Sequence, residues 1–407
     1  MSFEQGLSGL NAASKSLDVI GNNVANAATV GFKQSEAQFA DVFANTLSGS
    51  GGTQVGIGTS VRGVSQLFSQ GNITVTSNPL DLAINGKGFF RLSNNGAISY
   101  SRNGQFQLDK SGYIVNGAGQ RLTGYVANSS GAINSAAPTD LQVSSNDLTP
   151  KASSKVDAVF NLDSSSATLS AAAFNLTDPT TYNNSTSVAV YDSLGNSHTF
   201  SMYFVKTAAN TWKTFAANDG VQIGASAVGT LTFLSSGAID TTATTLPFAI
   251  STAVTTGATT PLAFNLDFTG TTQFGSAFGV NSLSQDGYTS GHLSGFSVGA
   301  DGIMLGRYTN GQSTTLGQVI LTNFNNPQGL QPLGGNGWAE TSASGVPLVG
   351  GPGTGNLGAL QSAAVEDSNV DLTAELVNMI TAQRVYQANA QSIKTQDAVL
   401  QTLVNLR

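Results

Sequence analysis

Cysteine is absent from the sequence, and charged residues are scarce. The 407 residues include no Cys, 16 Lys and Arg, and 23 Asp and Glu. Charged residues therefore form 10% of the chain, where about 25% is usual in soluble domains. Without cysteine there can be no disulfide, no thiolate zinc site and no Cys nucleophile. The formal net charge of −7 removes the attraction on which nucleic-acid binding depends, so we expect no nucleic-acid partner.

Residues that carry enzyme chemistry are also few. The two histidines, His198 and His292, have no ligand set near them in the sequence, and we expect both on a strand or loop surface. Gly56-Ile-Gly58 lacks the third glycine of a dinucleotide turn, and the glycines of residues 350–355 are not followed by the lysine of a phosphate loop. We therefore expect a protein that is not an enzyme, with no catalytic residue, cofactor or metal.

Long apolar runs are missing as well. No stretch of about 18 apolar residues exists, and the first ten residues lack the basic and apolar regions of a secretory signal peptide. We expect no membrane insertion and no cleaved signal. Taken alone, this favours the cytoplasm, unless the chain leaves the cell by a route without a cleaved signal. A weakly charged surface with 40% hydrophobic residues suits a protein that packs against copies of itself.

Both ends of the chain carry a seven-residue apolar period, which is typical of coiled-coil seams. Near the start, the two lines are Leu10, Leu17 and Val24, and Ala13, Ile20 and Ala27. Near the end, they are Leu372, Met379, Tyr386, Ile393 and Leu400, with Leu376, Ala390 and Val404 alongside. We predict a helix at each end, with these residues as contacts between the helices and with neighbouring subunits.

Helix boundaries can also be predicted from residue types. Ser368 or Asn369 can cap the C-terminal helix, and Asp371 and Glu375 suit its positive end. At the other helix, we predict a stop at Gly31-Phe32-Lys33, with Gly31 in the left-handed conformation just past the helix and Lys33 near the negative end of its dipole.

Polar residues continue along one face of the N-terminal helix. Asn11, Lys15, Asp18, Asn22 and Asn26 follow each other in steps of three and four residues. Their amides can both donate and accept hydrogen bonds. We predict that Asn22, Asn23 and Asn26 form a surface that another subunit reads, or that this face lines a channel.

The middle of the chain has the texture of β-structure. Asn-Gly and Asp-Gly pairs, which supply the positive φ angles of tight hairpins, occur at residues 85, 95, 103, 116, 286, 301, 310 and 336. Short apolar runs separate them, such as residues 81–84, 88–92 and 318–322, and residues 187–191 and 198–204 alternate in polarity.

These patterns predict a multidomain α+β protein in which paired terminal helices flank two nested all-β domains. The predicted divisions are a terminal helical domain of residues 1–30 with 365–407, a linker of 31–71, an inner β domain of 72–146 with 284–364, and an inserted outer β domain of 147–283. We expect the outer domain to form contacts between copies of the chain; the alternative is that it has no role in assembly.

Four stretches resemble the bacterial flagellar rod and hook proteins. Gly21-Asn-Asn-Val-Ala-Asn-Ala-Ala-Thr-Val-Gly-Phe-Lys33 is similar to the N-terminal signature of that family, and residues 368–389 are similar to its C-terminal signature. Residues 81–90 and 100–106 also agree with the family. Within it, the length, the opening ten residues, the returning segment of residues 301–330 and the large inserted domain resemble the hook members, because rod members are typically much shorter.

The resemblance implies a specific function. Hook subunits polymerise into a curved, flexible, hollow tube that joins rod to filament, transmits torque as a universal joint and is traversed by exported subunits. Its implied partners are copies of the chain itself, rod and hook–filament junction proteins, the hook cap and the type III export apparatus. The implied location is outside the cell, after export without a cleaved signal peptide. The alternatives are a distal rod protein and a β-rich surface adhesin.

Overall fold

A computed structural model describes residues 2–43, 56–128, 131–144 and 146–405. The described part begins with helix α1 (Ser2–Ala25) and ends with helix α2 (Leu372–Asn405). Strands form nearly all of the regular structure between them, so the predicted α+β class, with terminal helices flanking a largely β body, is confirmed.

Ten strands of the described part lie in roughly the first third of the chain. They are β1 (Ser35–Val42), β2 (Gly58–Gln66), β3 (Ile73–Val75), β4 (Leu82–Asn85), β5 (Phe89–Asn94), β6 (Ala97–Ser101), β7 (Phe106–Leu108), β8 (Ile114–Asn116), β9 (Arg121–Val126) and β10 (Thr139–Asp140).

The remaining strands are interrupted by three short 3₁₀ helices. The strands are β11 (Lys155–Asp163), β12 (Asn184–Tyr191), β13 (Ser197–Ala208), β14 (Thr211–Asn218), β15 (Val221–Gln222), β16 (Gly229–Thr232), β17 (Phe248–Thr252), β18 (Leu262–Asp267), β19 (Thr272–Phe274), β20 (Gly279–Gln285), β21 (Leu293–Val298), β22 (Ile303–Tyr308), β23 (Ser313–Val319), β24 (Leu321–Asn323), β25 (Gln331–Gly334), β26 (Gly337–Ala339), β27 (Leu348–Gly350), β28 (Ala359–Ser362) and β29 (Ala364–Glu366). The 3₁₀ helices are Ala171–Ala173, Pro179–Thr181 and Pro327–Gly329.

The chain divides into two compact units. The first contains Met1–Ser145, Gly295–Gly306 and Ser313–Arg407, and the second contains Asn146–Ser294 and Arg307–Gln312. The predicted inserted domain ended at residue 283, eleven residues before the end of the long segment of the second unit. The difference arises because β21 and β22 carry the chain between the units, so the division falls within strands and not at a turn.

Local sequence explains many of the turns. Asn95 and Gly96 both have positive φ (50° and 94°) in the two-residue loop between β5 and β6, as a type I′ hairpin requires. The predicted strand at residues 318–322 is interrupted at Ile320, between β23 and β24. In β13, His198, Phe200, Met202 and Phe204 alternate with more exposed residues, which is the pattern of a strand with one buried face.

The first unit is built on a sheet with the strand order β21–β22–β23–β9–β5–β6–β26–β25. An aromatic cluster of Phe89, Tyr100, Phe324 and Trp338 lies in its core. The rings of Phe89 and Trp338 meet edge to face with centroids 5.7 Å apart, and the Trp338 indole donates to Gln66 Oε1 at 2.6 Å.

The second unit contains two sheets that share one core. One has the order β17–β18–β11–β19, with β20 also paired to β11, and the other has the order β12–β13–β14–β15, with β16 paired to β14. Phe160, Phe204, Trp212 and Phe268 are fully buried in the common core. The Trp212 indole donates to Gln273 Oε1 at 2.7 Å, which satisfies the polar atom of this buried ring.

The predicted linker of residues 31–71 is wrong for its described part. Strands β1 and β2 pair antiparallel along their whole length, with a bulge between Gln38 and Phe39. Of the glycine-rich stretch of residues 49–63, residues 49–55 lie outside the described residues, and Gly58 to Gly63 belong to β2. The paired backbone explains the error, because antiparallel pairing satisfies the polar groups of a strand whatever its side chains are.

Candidate assembly site

The two terminal helices form an antiparallel pair in which glycines allow close approach. A Cβ atom at Gly9 would lie 2.9 Å from the side-chain amide of Asn389, and one at Gly6 would lie 3.0 Å from Ile393. Residues early in α1 thus meet residues late in α2. Packing within one chain therefore uses part of the predicted line on α2, through Ile393, together with Asn389, which the heptad pattern did not include.

Helix α1 lies between α2 and the hairpin of β1 and β2. Ala13, Val19 and Ile20 are buried, whereas Leu10, Leu17 and Val24 are half-buried. The Gln5 side chain donates to the carbonyl oxygen of Gly56, and the Thr59 amide donates to Ser8 Oγ at 3.3 Å. A groove of about 630 Å³ runs between α1, the hairpin and α2.

Most apolar residues of α2 stay exposed in a single chain. Of the predicted seam residues, Leu372, Leu376, Tyr386 and Leu400 are exposed, Met379 and Ile393 are half-buried, and the side chain of Val404 lies outside the described part. Val377, Ile380, Val385 and Val399 are exposed as well. Leu372, Leu376 and Ile380, at spacings of four residues, lie along one side of the helix. We call these three residues the outer face of α2.

The predicted asparagine surface is wrong for one of its three members. Asn22 is exposed, and Asn26, one residue past the end of α1, is half-buried. Asn23 is buried, and its amide donates to the carbonyl oxygen of Ser35 at 2.8 Å while its Oδ1 accepts the Ser35 amide at 2.9 Å. Asn23 therefore fixes the entry to β1 within one chain and cannot be read by a neighbour.

The predicted helix stop is also wrong. Helix α1 ends at Ala25, and no basic residue lies in its last turn. Gly31 does have the predicted positive φ, 72°, but six residues beyond the helix. Because Gly31 has no side chain, its backbone can approach the backbone of Asn103: a Cβ atom at Gly31 would lie 2.6 Å from the amide nitrogen of Asn103. Phe32 follows in the same segment. Lys33 does not serve the end of α1, because it is paired with Glu366.

Lys33 belongs to a buried charge cluster centred on Glu366. Lys33 Nζ lies 2.7 Å from Glu366 Oε1, and Arg102 Nη1 lies 2.9 Å from Glu366 Oε2. The Gly71 amide donates to Glu366 Oε1 at 2.9 Å, and Lys33 also donates to the carbonyl oxygen of Ser69. Burial lowers the pKa of Lys33 and the pKa of Arg102, and the charge of Glu366 opposes both effects.

Asn369 joins the same region, so the predicted cap of α2 needs correction. Asn369 Oδ1 accepts the Gln34 amide at 2.7 Å, and its amide donates to the carbonyl oxygen of Leu67 at 2.8 Å. The cap is Asp371, whose Oδ1 accepts the amides of Thr373 and Ala374. The family-like stretches at residues 21–33, 100–106 and 368–389 thus meet in space. Sequence reasoning missed Glu366, which lies two residues before the recognised C-terminal stretch.

His198 is not on the surface as predicted. It is buried in β13, with Nδ1 2.6 Å from Asp219 Oδ2 and Nε2 3.3 Å from Asp192 Oδ2. Burial acts to lower the pKa of His198, but the hydrogen bonds and charges of Asp219 and Asp192 outweigh it and raise the pKa. His292, by contrast, is exposed and lies beside Asp147.

Neither helix of the described residues combines the length and hydropathy of a membrane span. Within the same residues, no group of three or more acidic, His or Cys side chains is arranged to hold a metal ion. The first unit presents the helix pair, the exposed apolar side chains of α2 and the cluster at Glu366.

Four family models match successive parts of the chain. They are "Flagella basal body rod protein" at residues 3–33, "Flagellar hook protein FlgE/F/G D1 domain" at 83–149, "Flagellar basal body protein FlaE D2 domain" at 161–288 and "Flagellar basal body rod FlgEFG protein C-terminal" at 361–406. The first and fourth of these cover α1 and α2, and the second and third cover parts of the two β regions.

Relatives match over the full length. The chain is 44% identical to the flagellar hook protein FlgE of Escherichia coli (strain K12) over 416 residues and to that of Salmonella typhimurium over 414, with 100% of each chain covered. The Brucella suis protein of the same name is 32% identical over 99% of this chain and 98% of its own. The crystal structure of Helicobacter pylori flagellar hook protein FlgE2 has a similar fold, with a TM-score of 0.53 and 14% identity, over 72% of this chain and 100% of that one. The chain belongs to the flagellar hook protein FlgE family.

Proposed function

We propose that this chain is the structural subunit of a flagellar hook, which polymerises through its terminal helices into a curved, flexible, hollow tube. The observation that carries the proposal is the single helix pair made from both chain ends, with the outer face of α2 exposed. Full-length similarity to hook proteins supports the same function.

The exposed outer face of α2 favours packing of a neighbouring copy against the helix pair. A helix gains most of its stability in proteins from packing of an apolar face, and the outer face of α2 has no such packing in one chain. Covering Leu372, Leu376 and Ile380 would remove apolar surface from water, at about 25 cal/mol per Å². Contacts between unlike surfaces of successive copies produce an open helical polymer and not a closed ring when the rotation does not close.

The partners and location follow from this function as part of the proposal. A hook joins the rod to the filament through junction proteins, grows beneath a cap, and receives its subunits from the type III export apparatus. The chain would act outside the cell after export without a cleaved signal peptide. Its lack of cysteine supports such a route, because a chain that travels unfolded then has no thiols to cross-link.

Electron microscopy of the purified protein, concentrated in a salting-out buffer, tests this function. We expect curved tubes from the intact chain, and soluble protein without tubes after removal of residues 1–30 and 365–407. Straight tubes that never curve would favour a distal rod protein. An intact chain that never forms tubes, although both helices are ordered, would contradict the proposal.

A variant of the outer face gives a sharper test. Leu376→Gln should leave the melting temperature of the monomer within about 2 °C, because changes at surface positions typically cost less than about 0.5 kcal/mol. It should raise the protein concentration at which tubes form by about tenfold if that side chain is buried between copies. Val221→Gln, which changes an exposed apolar residue of the second unit, is the matched control. Equal effects of the two variants would contradict a specific role for the outer face.

A further inference from the structure

We propose that Glu366 is a positioning residue for assembly, because its carboxylate fixes the roots of all three elements of the candidate assembly site. This inference rests on the proposed function. The three roots are the segment between α1 and β1, the segment after β2, and the segment before α2. Each supplies one participant in the cluster: Lys33, Gly71 and Glu366 itself.

Both oxygens of the carboxylate accept hydrogen bonds within the chain. Oε1 accepts hydrogen bonds from Lys33 at 2.7 Å and from the Gly71 amide at 2.9 Å, while Oε2 accepts from Arg102 at 2.9 Å. Arg102 lies just after β6 in the β body and also donates to the carbonyl oxygen of Gly86. Glu366 therefore joins the three roots to each other and to the β body in one fixed arrangement.

Backbone and amide contacts around the carboxylate extend this arrangement into the helices. The Gly31 amide donates to the carbonyl oxygen of Glu366 at 2.8 Å. Gln34 is held by Asn369, and Ser35 by Asn23 of α1. Displacement of Glu366 would therefore loosen the segments from which α1 and the hairpin leave the β body.

The charges of the cluster make Glu366 the member whose loss should be most destabilising. Two buried cations, Lys33 and Arg102, share one buried anion. Removing the anion leaves two uncompensated positive charges, and breaking a buried ion pair in this way is strongly destabilising. Removing the lysine instead leaves one Arg–Glu pair, which is neutral. Loss of Glu366 should therefore be far more harmful than loss of Lys33.

The test compares full-length Glu366→Gln with Lys33→Met and with Asp140→Asn. Asp140 forms a half-exposed ion pair with Arg121 in the same unit, so its variant controls for simple loss of a carboxylate. Two measurements are made: the critical concentration for tube formation, and hydrogen–deuterium exchange of monomers. The amides of Gln34 and Ser35 report the roots, and the amide of Leu141, which donates to the carbonyl oxygen of Leu122, reports the β body.

We expect Glu366→Gln to raise the critical concentration and to speed exchange at Gln34 and Ser35 by about tenfold or more, since a buried pair is broken. Exchange at Leu141 should change by less than about twofold, and Lys33→Met should have under about a third of the effect on the roots. Asp140→Asn should behave as the wild type, because exposed pairs contribute little.

Several outcomes would overturn the positioning role. Unchanged exchange at the roots in Glu366→Gln would do so, and so would equal acceleration at Leu141, which would show general unfolding instead of loss of position. Loss of Lys33 that is as harmful as loss of Glu366 would contradict the charge argument. If the wild type forms no tubes, the proposed function fails, and the exchange measurements still decide whether Glu366 holds the roots.

Discussion

Gly31 lies against the backbone of Arg102 and Asn103 with a φ of 72°. A left-handed conformation costs a residue with a side chain about 1–2 kcal/mol, and a Cβ atom there would also lie 2.6 Å from a backbone nitrogen. Backbone cannot move aside as a flexible side chain can. We therefore predict that Gly31→Ala lowers the free energy of unfolding of the first unit by about 3 kcal/mol or more.

Gly119→Ala is the matched control for Gly31→Ala. Gly119 has a similar φ, 77°, but no atom lies within 4 Å of its would-be Cβ. Its substitution should cost only the conformational part, about 1–2 kcal/mol. Urea unfolding of the two variants measures the difference, and equal losses of stability would show that the close approach to Asn103 does not matter.

The buried His198 should make the stability of the second unit depend on pH. Its folded-state pKa is raised above 6.5, so the stabilisation it gives is fully present below about pH 6.5, its unfolded value. That stabilisation is lost as the pH rises through the raised folded value. Hydrogen bonds from Thr256 and Asn196, among others, hold the pKa of Asp192 below its usual range against the effect of burial. The contribution of Asp192 is therefore lost as the pH falls from about 4 into strong acid, below the range in which His198 titrates.

Thermal unfolding of Trp338→Phe, followed by the fluorescence of the remaining Trp212, measures this pH dependence. The melting temperature should fall between about pH 6 and the upper end of the His198 titration, and the fall should be absent in His198→Asn. His292→Asn should keep it, because that ring is exposed. A fall that persists without His198 would assign the dependence to another group.

Predictions for single residues were correct where the cause was local. Asn95-Gly96 specifies its own turn, because the positive φ angles of both residues are set by the residue types. The predictions were wrong for Lys33 and His198, whose surroundings come from elsewhere in the fold. Lys33 meets a carboxylate 333 positions away, and the pair of acids around His198 is assembled by turns on either side of β13 and β14. A single sequence carries no signal of such distances.

Two glycines of α1, Gly9 and Gly21, allow the effect of helix propensity to be measured apart from the effect of helix packing. Gly9 faces the Asn389 side chain, whereas no atom lies near the would-be Cβ of Gly21. Alanine should gain about 1 kcal/mol over glycine within a helix. We predict that Gly21→Ala stabilises α1, that Gly9→Ala gains little because Asn389 must move, and that Gly9→Leu separates α1 from α2.

Circular dichroism and the critical concentration for tube formation distinguish these three variants. Gly21→Ala should retain or increase helicity, and Gly9→Leu should lose helicity and fail to form tubes, since neither helix then has its partner. If Gly9→Leu formed tubes as the wild type does, close approach of α1 and α2 would not be needed for assembly.

The heptad pattern predicted the helices themselves but not which side of α2 meets α1. An apolar stripe marks a face that is buried somewhere, and the period is the same whether the covering helix belongs to the same chain or to another. Here α1 meets the line through Asn389 and Ile393, while Leu372 and Leu376 remain exposed. Amide-bearing Asn389 could not be recognised as a contact from hydrophobicity, because it packs against the missing side chain of Gly9.

For the whole molecule, the discontinuous layout has a direct consequence for stability. Each unit has its own buried aromatic core, and each contains one of the two tryptophans: Trp338 in the first unit and Trp212 in the second. The sequence predicted the nesting of the β regions from composition and turn spacing. It could not predict that the division would fall within β21 and β22, because a strand that passes between two cores has the same alternation throughout.

We predict that the two units unfold in separate transitions, each reported by its own tryptophan. In Trp212→Phe the remaining fluorescence follows the first unit, and in Trp338→Phe it follows the second. Adding Gly31→Ala should lower the transition seen through Trp338 and leave that seen through Trp212 in place. A rise from about pH 6 to about pH 9 should lower the transition seen through Trp212, because His198 lies in that unit.

These two perturbations act in opposite units, so together they test independence directly. Chemical denaturation of monomers at low protein concentration, followed by fluorescence in both tryptophan variants, gives the six midpoints required: each variant alone, with Gly31→Ala, and at the raised pH. If both midpoints moved together with either perturbation, the units would be unfolding as one cooperative body. Cooperative unfolding requires that the free energy of unfolding of one core depends on whether the other is folded. In that case the two cores would be separate in their contacts but not in their stability.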